Sequence, residues 1–115
     1  MDTIATPYGA VKLTTGVWGT DPVAFLPRHG SDHSVPPHAI NYRGNIWALR
    51  EAGARAILAT AVSGGINPAM PPGKLVAITD VLNFTSGRSD TFFDGSDGTV
   101  TVSYTHLTLP TIYSV

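Results

Sequence analysis

VAFLPRHGSDHSVPPHAINYRGNIWAL, running from Val23 to Leu49, is the stretch on which the reading of this chain turns. Its opening residues, Val23, Ala24, Phe25 and Leu26, predict a buried strand that stops at Pro27. Arg28-His29-Gly30 follows, then a proline-rich loop and a helix around Asn41 to Ala52. In open α/β sheets, ligands gather beyond the carboxyl ends of strands, where loop side chains and backbone N–H groups converge, so function is expected at this strand end. Arg28 offers a planar fork of N–H donors that suits an oxyanion, and His29 can add another donor. Arginine is also a residue that commonly sits in water or against a carboxylate, and both readings of Arg28 are open from these residues alone.

The 115 residues around this stretch suit one modest domain, and 43% hydrophobic content is ordinary for a folded protein. A net charge of -1, with only 13% charged residues, provides no basic face for nucleic acid and no acidic tail. Cysteine is absent, which excludes disulfides, thiol catalysis and cysteine-based zinc sites. No charged segment leads into an apolar one at the start, and no apolar run approaches the ~18 residues of a membrane helix. A soluble, cytoplasmic protein without membrane or nucleic-acid partners is expected.

Upstream, Thr6-Pro7-Tyr8-Gly9, Gly16, Gly19 and Asp21-Pro22 carry turn chemistry around two short strand candidates, Val11 to Leu13 and Val17-Trp18. They predict a hairpin leading into the main strand. Downstream, His29, His33 and His38 are spaced by four and five residues, but Pro36-Pro37 preclude a helical display of the rings, and no metal site is expected. In the helix, Tyr42, Ile46 and Leu49, widened by Trp47, form an apolar stripe read as core, and Gly53 is placed to end it. Gly44 within it costs about 1 kcal/mol relative to alanine, and is either a close-packing point or a weak spot.

Ala56 to Val62 is a continuous apolar run before Ser63-Gly64-Gly65, the pattern of a strand buried on both faces. Strand, helix and strand in succession predict a βαβ unit with parallel strands. Ser63-Gly64-Gly65 then lies at a second carboxyl end, where its backbone N–H groups can meet an anion held by Arg28. Asn67-Pro68 and Pro71-Pro72-Gly73 read as turns, and Leu75 to Leu82 as a further buried strand. Arg88 and Asp94, in the loop beyond, are read as solvated or paired and not as catalytic.

Several segments are similar to those of the trimeric nucleoside phosphorylases, and within them to the methylthioadenosine and methylthioinosine phosphorylase branch. They are TPYG (Thr6 to Gly9), LPRHG (Leu26 to Gly30) with His33 and PPH (Pro36 to His38), INYRGNIWAL (Ile40 to Leu49), ILAT (Ile57 to Thr60), GGINP (Gly64 to Pro68), PPGKLV (Pro71 to Val76), and FTSGR with TFFDG. The resemblance implies an α/β chain with a partial nucleoside phosphorylase fold, a mixed sheet with flanking helices, incomplete at both ends. It also implies phosphate-dependent cleavage of S-methyl-5'-thioadenosine or S-methyl-5'-thioinosine to a purine base and methylthioribose 1-phosphate, through an oxocarbenium-like state. Inorganic phosphate is then a co-substrate, no cofactor is needed, and the complete enzyme is a homotrimer.

Residue by residue, the resemblance maps phosphate binding onto Arg28 and His29. It maps a second contact, usually serine or threonine followed by alanine, onto Ala61 and Val62. Ala61 has no hydroxyl, so backbone N–H donation remains there unless Thr60 takes over the contact. The family usually has alanine at Gly44. Residues 1–101 are expected to form part of the phosphorylase domain, while VSYTHLTLPT within residues 102–115 resembles a translated sequencing adapter and reads as a non-native tail, the alternative being a polar strand extension. The segments that grip purine and sugar are absent from the chain, so no catalytic residue is assigned and the isolated chain is expected to be inactive and poorly soluble. A small non-catalytic anion- or nucleotide-binding domain is the competing reading.

Overall fold

In the computed structural model, residues 1–95 are described. The expected boundary between residues 101 and 102, and the tail after it, lie outside the described residues. The chain divides into two units, Met1–Arg55 with the segment from Ser86, and Ala56–Thr85.

The first unit is a three-stranded antiparallel meander with one helix. Strand β1 (Asp2–Thr6) turns at Pro7-Tyr8 into β2 (Gly9–Trp18), which turns at Gly19-Thr20 into β3 (Asp21–Phe25). At the first turn the Thr6 hydroxyl accepts the Tyr8 N–H at 3.1 Å and donates to the Gly9 carbonyl at 2.6 Å. At the second, Gly19 stands at φ 64, the positive φ that a two-residue hairpin of this hand requires at its first position.

The two short strand candidates are halves of one ten-residue strand, and each half has its own partner. Gly9 to Leu13 pair with β1, and Thr14 to Trp18 pair with β3. Gly16, read as a turn residue, pairs with Val23 instead, and Pro22 pairs with Val17 on the edge strand, where its missing N–H is tolerated.

The expected buried strand at Val23 to Leu26 is corrected. Strand β3 starts at Asp21 and is an edge strand, with Phe25 66% exposed while Ala24 and Leu26 pack partly against the core. The physical reason is alternation: with one hairpin partner and one covered face, only every second side chain is buried.

The core sits where β2 is covered on one face by α1 (Tyr42–Glu51). Val11, Leu13 and Ala48 are buried together, with Ile4, Ala24 and Leu26 packed around them, and Leu13 is only 1% exposed. Full burial of such a side chain stabilises by roughly 1.5–3 kcal/mol.

The helix forms where expected. Asn41 caps its N-terminus, accepting the Gly44 N–H at 3.1 Å through Oδ1. At the other end Gly53 stands at φ 87, its N–H reaching the Arg50 carbonyl and the Ala54 N–H that of Leu49, a Schellman closure. The buried stripe is rotated from the one expected: Gly44 and Ala48 are buried, whereas Ile46 is 43% exposed. Ala48 packs against Val11 and Leu13 of β2, while Gly44 leaves room for the Asn41 side chain that caps the helix.

The βαβ expectation is also corrected. Among the described residues no strand is assigned in 56–62 or 75–82, the sheet has no parallel pair, and α1 is the only α-helix, joined by a single 3-10 turn at Pro37–Ala39. The mixed sheet with flanking helices is therefore, here, an antiparallel sheet with one helix. A strand buried on both faces needs ladder partners on its edges and cover on its faces. Residues 56–62 have neither among the described residues, and Val62, Ile66 and Leu75 are fully exposed. The second unit is organised by turns. Asn67 accepts the Ala69 N–H through its side chain and the Met70 N–H through its carbonyl, and the Lys74 N–H reaches the Pro71 carbonyl across Pro72-Gly73, with Gly73 at φ 84. No helix among the described residues is long and apolar enough to cross a membrane.

Candidate phosphate site

Immediately after β3 the chain makes a tight turn whose two central residues are Arg28 and His29, closed by the Gly30 N–H on the Pro27 carbonyl at 2.9 Å. Gly30 stands at φ 81 and His33 at φ 57, so the loop curls back on itself. Two bonds then tie its ends together. The Val35 N–H donates to the His29 carbonyl at 2.9 Å, and the His29 ring Nδ1 lies 3.0 Å from the Val35 carbonyl oxygen. His33 lays its ring parallel to that of His29, with centroids 6.5 Å apart.

Asp32 stiffens the crest of the loop. Its Oδ1 accepts the Ser34 hydroxyl at 2.7 Å and the Ser34 N–H at 3.2 Å. The Ser34 hydroxyl bond, followed by the backbone bonds, holds the Asp32 carboxyl below its ordinary value, because both favour the charged form.

Beside the loop lies a cleft of about 370 Å³, lined among others by Lys12, Arg28, Asp32, Ser34, Asn41 and Asn45. Two cationic side chains, one carboxylate and two amides give it the donor-rich chemistry of an oxyanion site. Arg28 and His29 are both half-buried, which strengthens charge-assisted bonds relative to open water.

The structure thus brings Arg28 and His29 together at the end of β3, as the sequence predicts. Thr60, Ala61 and Val62 are consecutive in an extended stretch of the second unit. Sequence reasoning missed Lys12, Asn41 and Asn45. Asn41 carried a signal, a capping residue directly before the helical period; Lys12 carried only its place between two apolar strand positions.

A second cluster gathers around Arg43, Arg88 and Asp94, to which the sequence assigned no catalytic or binding role. Asp94 pairs with Arg43 at 2.6 Å, and the Arg43 guanidinium lies 4.7 Å from the centre of the Tyr8 ring. Tyr8 also meets Trp47 edge-on, with ring centroids 6.0 Å apart, and Phe92 at 5.7 Å. Arg88 donates to the Tyr42 hydroxyl at 3.1 Å. Arg88 and Asp94, expected to be solvated or paired, are both paired. Among the described residues no group of three histidine or carboxylate side chains converges as a metal site would require.

Comparison with known proteins gives a consistent result. The model of the phosphorylase superfamily matches residues 3–113. The 6-oxopurine nucleoside phosphorylase of Pyrococcus furiosus is 53% identical over 96 residues, covering 84% of this chain and 36% of the relative. A probable S-methyl-5'-thioinosine phosphorylase of Pseudomonas syringae pv. tomato is 51% identical over 90 residues, 76% of this chain and 37% of the relative. Among solved structures, methylthioadenosine phosphorylase from Schistosoma mansoni in complex with adenine superposes with a TM-score of 0.79 at 35% identity, covering 86% of this chain and 36% of that one. The chain spans somewhat over a third of the length of the curated relatives it matches.

Proposed function

The chain belongs to the phosphorylase superfamily, and from that membership we propose that it supplies the phosphate-binding part of a purine nucleoside phosphorylase, a pentosyltransferase. In this reading Arg28 and His29 hold inorganic phosphate for attack on the anomeric carbon of the nucleoside. The resemblance assigns a further phosphate contact to Thr60, Ala61 and Val62, through backbone N–H groups at Ala61 and Val62 unless the Thr60 hydroxyl takes it over. The observation that carries the proposal is the turn at the end of β3, which sets Arg28 and His29 side by side, with Arg28 lining a donor-rich cleft. A fixed cationic fork lowers the cost of bringing a dianion to a sugar that is gaining positive charge, and position supplies the rest.

For the nucleoside, we propose a 6-oxopurine base, with S-methyl-5'-thioinosine within the range. The two relatives quoted above at more than 50% identity are named for a 6-oxopurine nucleoside and for thioinosine, both of which carry an oxygen at C6. S-methyl-5'-thioadenosine is the second reading, favoured by the fold match to a methylthioadenosine phosphorylase. The complete enzyme works in the cytoplasm as a homotrimer in this proposal. Phosphate-dependent release of base from thioinosine, inosine and thioadenosine tests it, on the 115-residue chain and on the same segment joined to the remaining length of a relative. Turnover only in the longer protein, lost with Arg28→Ala, supports the reading. Phosphate binding without turnover in both would favour a non-catalytic anion-binding domain.

A further inference from the structure

We infer that His29 donates to the bound anion only as an imidazolium, so that phosphate uptake at this site carries a proton with it. The inference rests on the reading of Arg28 and His29 as a phosphate site and adds the protonation state in which that site works. Its basis is the loop closure. The Nδ1 of His29 is 3.0 Å from the Val35 carbonyl oxygen, and a carbonyl oxygen can only accept. Nδ1 therefore carries a hydrogen, and the reciprocal bond from the Val35 N–H to the His29 carbonyl, at 2.9 Å, fixes ring and backbone as one closed unit. In the neutral ring the remaining nitrogen, Nε2, is then a lone pair. A lone pair facing an oxyanion repels it, and only a second proton turns it into a donor.

Charged and titratable groups of both signs lie on the loop and along the cleft. Arg28 precedes His29 in the turn, His33 stacks on it, and Lys12 of β2 lines the cleft that Arg28 also lines; each, when charged, disfavours a further positive charge. Asp32, on the same loop and in the same cleft, favours it, and so does a bound dianion.

Sulfate is the suitable probe, because it is tetrahedral and its charge is constant across the histidine range, whereas phosphate titrates there itself. With the full chain, sulfate affinity is expected to fall about tenfold per pH unit once the pH exceeds the histidine range, the slope of one linked proton. His29→Gln, whose amide nitrogen reaches the Nε2 position as a permanent neutral donor, should bind with a flat profile; His33→Asn should keep the wild-type slope. Nitrogen-detected NMR of the unligated chain should show the hydrogen of neutral His29 on Nδ1. A hydrogen on Nε2 in the neutral ring, or a pH-flat sulfate affinity in the wild type, overturns the inference while leaving the phosphate reading intact. No binding of sulfate or phosphate at any pH overturns both.

Discussion

Residues 23–26 and residues 56–62 are both short apolar runs, each followed by a turn sequence, yet only the first overlaps a strand. The first run is folded back onto β2 by a two-residue turn whose glycine takes the required positive φ, so its pairing partner is close in sequence. The second has no such turn. The turns that follow it, at 67–70 and 71–74, close on themselves, and no strand among the described residues is returned to it. Apolar composition makes burial favourable, but the turn decides whether a ladder partner arrives, and a run meant for burial on both faces needs partners distant in sequence.

The largest effect separating the two regions should come from truncating one side chain in each. Leu13→Ala removes the most buried side chain of the hairpin and should cost about 2–5 kcal/mol, enough to unfold a core this small. Val62→Ala, at a fully exposed position, should change stability by less than about 0.5 kcal/mol. Urea melts followed by tryptophan fluorescence measure both. A Val62→Ala cost as large as that of Leu13→Ala would erase the contrast.

The same distinction explains what was legible in the sequence. The helix was readable because its signals are local: Asn41 at the cap, Gly53 at the closure, and a regular apolar period between. Which face it buries was not, since Gly44 and Ala48 are marked by small size and not by hydrophobicity. The hairpin turn at Gly19 was readable, whereas Gly16 and Pro22 carried turn chemistry but lie within paired strands, Pro22 on the edge strand where its missing N–H is tolerable. The turn holding Arg28 and His29 was legible as a strand end followed by Pro and Gly. The Val35 carbonyl that fixes the ring was not, because a backbone acceptor leaves no trace in residue type.

Among the proposed phosphate-binding residues, Arg28 should matter more to phosphate affinity than Thr60. Arg28→Ala removes charge-assisted bonds worth about 1.5–3 kcal/mol, so binding should weaken about 10- to 150-fold. Thr60→Val removes a neutral hydroxyl and should weaken it by about tenfold or less. Isothermal titration with phosphate on both variants ranks them; the reverse order would remove Arg28 as the principal contact.

A smaller effect is expected at the helix start. Asn41→Ala loses the cap to Gly44 and the bond from Nδ2 to the Tyr8 carbonyl at 2.8 Å, for a cost of about 1–2 kcal/mol. Asn67 makes the corresponding side-chain bond to Ala69 in the second unit, at an exposed position where water replaces it readily, and Asn67→Ala should cost less. Acid provides a gentler probe of the first unit. Because the Asp32 carboxyl is held below its ordinary value, its contribution is present above the usual carboxylate range and is lost as the pH falls through the depressed value. Faster amide exchange at Ser34 relative to the β2 amides, on acidification and after correction for intrinsic rates, would report that loss.

The smallest expected effect is also the most discriminating, because it weighs propensity against geometry at a single position. A Cβ on Gly44 gains about 1 kcal/mol of helix propensity. It would also stand 2.8 Å from Cγ of Asn41, whose two polar atoms are already committed to the Gly44 N–H and the Tyr8 carbonyl. The side chain can give way only by loosening both bonds, so Gly44→Ala alone should change stability by less than about 0.5 kcal/mol, the two terms offsetting one another. In an Asn41→Ala background the three nearest obstructing atoms are gone, and the same substitution should stabilise by about 1 kcal/mol. A coupling of that size between residues three apart identifies Gly44 as a packing point set by the cap. Additive effects would instead make it an ordinary weak spot in the helix, and alanine there would be a gain in any background.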